Sequence, residues 1–258
     1  MKKRIIPSIL LKSGSTNACL SHQFSPWRTI GTLAQQLKLH VSRGCDELLV
    51  INPYHASVAS SPLTSRLVKL ITKNTDIPVG YCGGIISTQI AVQSINECFD
   101  KVFVTRAFLD DDNSLPAMVS VLGTQSVGVC LPYACDRSTG ERFVWDFRRQ
   151  SFLRTHPLEF YIRKASCEGA GEILLYSVER DGSMKGFDED ILPVLERLRV
   201  SRPLLLGGGA GKPKDFVSVL KSDYVQGVVA ASIFSLTEET PRTLRDYCLN
   251  AGIPMRRA

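Results

Sequence analysis

Short apolar runs alternate along the whole chain with segments in which apolar positions recur at helical spacing. The runs at 5–11, 47–52, 78–81, 101–105, 126–131, 172–177, 203–206 and 227–230 have the length of strands. Between them, 30–43, 61–73, 88–98, 115–122, 159–168, 189–198, 213–220 and 241–251 read as helices. The strand runs lack strict alternation, as expected where both faces are buried. Pro78 and Pro203 stand at strand beginnings, where a missing N–H costs least. Eight strands, each followed by a helix, predict an α/β chain folded as a (βα)8 TIM barrel.

An internal repeat divides the predicted barrel in two. Asp46–Val50 resembles Gly171–Leu175 at an offset of 125, and Tyr81–Ile85 resembles Leu206–Ala210 at the same offset. Val102–Phe108 resembles Val228–Phe234 at an offset of 126. Three matches at nearly one spacing predict two homologous half-barrels of four βα units each. No linker-like stretch separates them, so one domain over 1–258 is expected.

Composition narrows the class. Over 258 residues, 44% are hydrophobic and 22% charged, which suits a globular protein. No apolar stretch is long enough to span a membrane. Met1–Pro7 reads as the start of a strand and not as a secretory signal, so a cytoplasmic protein is expected. The net charge of +6 comes from scattered Lys and Arg without zinc-finger spacing or a stacking aromatic motif, which argues against nucleic-acid binding. Eight cysteines contain no CxxC pair, and Cys82, Cys98, Cys130 and Cys167 lie in or beside apolar runs, where cysteine acts as a small hydrophobe. Neither a metal nor a cofactor is predicted.

Glycines mark candidate anion sites. Without a Cβ, backbone N–H groups can approach an anion closely, and a helix starting nearby adds positive dipole. Gly208, Gly209, Ala231 and Ser232 predict one phosphate cradle at the carboxyl ends of the last strands, closed by Asp181 and Gly182. By the repeat, Gly83, Gly84, Thr105 and Arg106 predict a second across the mouth. Tight turns alone are the plainer explanation of such pairs. Two cradles would suit a substrate phosphorylated at both ends.

Lys3–Pro7, Asp46–Leu48, Cys82–Ile85, Asp100–Val102, Gly169–Leu175, Arg180–Ser183, Gly186–Asp188, Gly208–Lys212 and Ala231–Phe234 together resemble the cyclase (synthase) subunit of imidazole glycerol phosphate synthase, the HisF family. The likeness runs in order over nearly the whole chain. It implies a two-half barrel with a glutaminase (HisH-like) partner docked on its floor. Ammonia would pass through the barrel to a mouth that cleaves and cyclises a bisphosphorylated substrate. It also implies that Arg4, Glu47, Lys101 and Glu172 form a charged gate at the floor, and that Asp100 meets the glutaminase. A cluster of ion pairs serving only stability is the alternative, since the bottom face of these barrels usually does so.

At the mouth the resemblance breaks down. The two aspartates that the family uses as general acid and base align with Leu10 and Pro132, neither of which can move a proton. A family lysine aligns with Ala18 and an aspartate with Asn52, and Thr105-Arg106 replaces an Asn-Thr pair. Arg106 either binds phosphate or plugs the site. Asp136, in a lengthened loop, is the replacement acid to consider, with Lys12 and His55 behind it. Phe24, Pro26 and Trp27 form either an aromatic cap over the mouth or an ordinary packed loop. Three functions follow. The first is a divergent paralogue that docks a glutaminase and conducts ammonia, serving amidation of a surface sugar, as is implied by the resemblance of Ile6–Leu11 to the Ile-Pro-x-x-Leu-Leu start of family members that accompany bacterial surface-sugar genes. The others are a working cyclase of histidine biosynthesis and a non-catalytic barrel that binds a phosphorylated ligand.

Overall fold

The computed structural model describes residues 2–12, 15–53 and 65–256. His55 and the start of the helix predicted at 61–73 lie outside these. Eight parallel strands close into a barrel: β1 (Arg4–Leu11), β4 (Leu48–Ile51), β5 (Val79–Cys82), β6 (Lys101–Val104), β7 (Val127–Cys135), β10 (Ile173–Ser177), β11 (Leu204–Gly207) and β12 (Gly227–Ala230). The ring closes where β7 pairs with β10 and β12 with β1, the latter with Arg4 opposite Gly227. Helices α1 (Leu33–Ser42), α2 (Ser65–Asn74), α3 (Thr88–Glu97), α5 (Ser114–Leu122), α6 (Leu158–Cys167), α7 (Leu192–Leu198), α8 (Pro213–Leu220) and α10 (Pro241–Asn250) cover the outside. This is the (βα)8 barrel predicted.

Strand alternation separates two cores. Ile5, Ile9, Leu48, Val50, Ile173 and Leu175 face the helices, whereas Ile6, Leu10, Leu49, Ile51, Leu174 and Tyr176 fill the barrel interior. Both faces are buried, so the runs look uniformly apolar although they alternate between destinations.

Each half carries a hairpin that the sequence did not signal, the second of them in the lengthened loop that holds Asp136. After β1, β2 (Asn17–His22) and β3 (Ser25–Thr32) form a hairpin paired antiparallel to β1. After β7, β8 (Arg142–Asp146) and β9 (Ser151–Leu153) form another, and β7 itself runs four residues beyond its predicted end. The first hairpin shortens the predicted 30–43 helix. Thr32 caps α1, with its hydroxyl receiving Gln35 N and its own N–H reaching Gln35 Oε1 at 2.8 Å. Two five-residue helices, α4 (Arg106–Asp110) and α9 (Ser232–Leu236), also went unpredicted. They open alike: Thr105 lies at φ −123°, ψ −64° and Ala231 at −127°, −63°. The half-barrel repeat thus extends to backbone torsions.

Candidate functional site

The inward positions of four strands begin with a charge. Arg4 joins Glu47 at 3.0 Å and Glu172 at 2.7 Å, and Lys101 joins Glu172 at 2.9 Å. All four predicted gate residues therefore form one network at the N-terminal end of the barrel. Burial alone would weaken the charge on Arg4, but the two carboxylates outweigh it and hold the guanidinium more firmly protonated than usual. Glu172 accepts both cations on one oxygen; its other oxygen is buried and has no donor among the described residues. Sequence reasoning missed Arg256, which reaches Glu47 at 3.5 Å and Asp46 at 3.7 Å from the far end of the chain. Asp100 is exposed beside this network, and its carboxylate receives the Val79 N–H at 2.8 Å, fixing the start of β5.

Above the ring the interior is mainly apolar, with Ser8 as a buried polar residue on the inward face of β1. Lys101, Phe103 and Thr105 follow one another on the inward face of β6 and its end, carrying the wall from charge to aromatic ring to hydroxyl. Phe103 needs its glycine neighbour: a Cβ on Gly128 would lie 2.6 Å from its ring.

At the C-terminal end a cavity of ≈ 250 Å³ opens. Its wall includes Gly83, Gly84, Thr105 and Arg106 from the second predicted cradle, together with Asn52 and Pro132. The Thr105 hydroxyl donates to the Cys130 carbonyl at 2.7 Å, and Asn52 Nδ2 lies 3.4 Å from the Tyr81 hydroxyl. Arg106 stands in the wall, paired with Asp110 at 2.9 Å, and leaves the cavity open beside it. Leu10 is buried in the inner core.

The cradle predicted at the carboxyl ends of the last strands is much tighter. Gly182, Gly208, Gly209, Ala231 and Ser232 line a pocket of ≈ 10 Å³, room for about one water molecule. Asp181 lines it too, but its carboxylate is already engaged: Ser21 Oγ donates at 2.6 Å, Phe24 N at 2.9 Å and Tyr176 Oη at 3.1 Å. Its side chain therefore anchors the first hairpin to the barrel and faces an anion with like charge.

Asp136 does not fill the place of the missing acids. It is outside the cavity wall, and bonds from Ser138, with Arg154 at 2.6 Å, hold its carboxyl down at about 2. Such a group stays ionised at neutral pH and serves a turn. Lys12 is exposed beyond the end of β1. The carboxylates that do reach the cavity are Asp110 and Asp146, both paired with arginines. Asp146 sits on the unpredicted second hairpin, so no motif pointed to it.

The expected aromatic cap is realised in part. Phe24 packs over the mouth, 4.9 Å from Tyr176 and 5.0 Å edge-to-face from Phe147 on the opposite hairpin. Trp27 is 58% exposed and takes no part. No group of three or more His, Cys, Asp or Glu able to hold a metal occurs among the described residues.

Comparison with known proteins agrees with this architecture. Residues 4–240 match the family described as histidine biosynthesis protein. A Campylobacter jejuni protein provisionally named imidazole glycerol phosphate synthase subunit hisF2 is 29% identical over 99% of both chains. The imidazole glycerol phosphate synthase subunit HisF of Pseudoalteromonas translucida is 28% identical, and that of Natranaerobius thermophilus 27%, again over 99% of each chain.

Proposed function

Because the chain belongs to the histidine biosynthesis protein family, we propose that it is the barrel subunit of a glutamine amidotransferase pair that has given up the family's cyclase chemistry. A HisH-like glutaminase docks on the floor, with Asp100 in the contact, and releases ammonia at the ring of Arg4, Glu47, Lys101 and Glu172. Ammonia is uncharged and crosses an apolar interior in which ammonium would be heavily penalised. The mouth then presents it to a phosphorylated acceptor or passes it on, and a precursor of a surface sugar is the final recipient.

One contrast carries this reading. The floor keeps a complete ion-pair network, whereas Leu10 and Pro132 stand where the acid and base belong, and Asp136 faces elsewhere. General acid–base catalysis typically supplies about 10²–10⁴ per group, so losing both removes most of the cyclase rate.

Co-expression with the glutaminase tests it. A stable complex with accelerated glutamine hydrolysis is expected. No complex and unchanged hydrolysis would overturn the proposal and favour a barrel that only binds a phosphorylated ligand. The likeness to HisF subunits supports a second reading, a working cyclase, and rescue of a histidine auxotroph would establish it.

A further inference from the structure

The geometry points to a ligand for the mouth cavity that differs in kind from a sugar phosphate: a small molecule with a flat apolar body and one oxyanion head. This inference rests on the reading that the mouth has left the family's chemistry, and it concerns what the mouth now holds.

The body of the ligand is set by the walls. The barrel contributes Ile51, Phe103 and Tyr176, and the second hairpin contributes Val144, Trp145 and Phe147. Phe24, from the other hairpin, completes the aromatic side by packing on both Tyr176 and Phe147. A sugar would bring several hydroxyls into this space, each needing a partner. Few are offered. The Thr105 hydroxyl donates to a backbone carbonyl, the Tyr176 hydroxyl is engaged by Asp181, and the Cys82 and Cys130 thiols are weak partners, which leaves the Asn52 amide. Hydroxyls buried without partners oppose binding, whereas an aromatic ring gains from the same surfaces. At ≈ 250 Å³ the space falls just below the range typical of sites for drug-sized ligands, so the body is small.

The head is set by charge. Arg106, Arg148 and Arg149 reach the cavity against only Asp110 and Asp146, leaving one positive charge in excess. Asp110 engages Arg106 at 2.9 Å and Arg148 at 3.4 Å. Arg149 is held by a single longer contact, 3.8 Å to Asp146, and its side chain is 74% exposed. It is the guanidinium most free to turn onto a phosphate or carboxylate in the bidentate manner that suits such groups.

Titration of the isolated barrel tests this. In a Trp27→Phe background, Trp145 is the sole tryptophan and reports on the cavity wall. Phenyl phosphate is expected to quench it saturably and to bind about tenfold more tightly than ribose 5-phosphate, inorganic phosphate or phenol. Arg149→Gln, a change at an exposed side chain, is expected to bring phenyl phosphate down to the affinity of phenol. Ribose 5-phosphate binding as tightly as phenyl phosphate would overturn the apolar body, and phenol binding as tightly would overturn the oxyanion head. Absence of saturable quenching by phenyl phosphate would overturn both. None of these outcomes depends on the glutaminase, so the inference and the amidotransferase reading fail separately.

Discussion

Asp181 holds Phe24 in a backbone conformation that phenylalanine rarely adopts. Gln23 and Phe24 form the two-residue turn between β2 and β3 with φ of 53° and 59°, the positive values that tight hairpins demand. The Asp181 carbonyl receives Gln23 N at 3.2 Å and its carboxylate receives Phe24 N at 2.9 Å. Asp181→Ala would remove the carboxylate that the Ser21 hydroxyl, the Tyr176 hydroxyl and the Phe24 amide donate to. A loss of about 3 kcal/mol is expected, or roughly 6–12 °C in Tm. Calorimetry measures the loss, and limited proteolysis should place the new cleavage within 17–32.

Arg4 and Lys101, two of the cations of the floor, differ in what they hold. Arg4 bridges both glutamates, whereas Lys101 pairs, among the described residues, with Glu172 alone, which keeps Arg4 if the lysine is lost. Arg4→Met is therefore expected to cost about 3–5 kcal/mol, as removal of one partner from a buried pair does, and Lys101→Met markedly less. Both should disturb coupling to the glutaminase. Urea melts of the two variants check the order, and equal losses would show that the network does not run through Arg4.

His40 makes the fold sensitive to mild acid. It is buried against Phe234, with rings 5.5 Å apart, and its Nδ1 has no hydrogen-bond partner among the described residues. Burial, with Arg43 nearby, lowers its pKa to about 4. The unfolded chain therefore binds the proton first. His40's contribution to stability is complete above about pH 6.5 and declines as pH falls toward 4, by about 3 kcal/mol in all. His40→Leu should flatten stability against pH between those values in denaturant titrations.

Phe103 and Gly128 should behave as a unit. Gly128→Ala drives a methyl into the ring and is expected to cost about 1–3 kcal/mol. In a Phe103→Leu background the same substitution should cost much less. A double-mutant cycle measures this coupling, and additivity would show that the ring and the glycine are independent.

The sequence showed the barrel clearly because its strands and helices are set by burial, which leaves a periodic trace. The floor was legible through the family resemblance, which singled out Arg4, Glu47, Lys101 and Glu172, each at the head of an apolar run. The hairpins were not. Their turn at Gln23-Phe24 lacks the Asn-Gly or Asp-Gly signal of tight hairpins, and what stabilises it is Asp181, distant in sequence. Part of the mouth was hidden for the same reason: its wall is completed by Trp145, Phe147 and Asp146 from a hairpin without local signature. Arg256 joined the floor from the last residues of the chain, where no motif pointed to it.

The ring at the floor takes three of its members from the first four barrel strands and only Glu172 from the last four. It is thus a seam between two duplicated pieces, fastened by one carboxylate that two cations share. Prying the pieces apart would strand Lys101 without its counter-ion and leave Arg4 with one of two, so the residues that guard the underside also make the two ancestral halves interdependent.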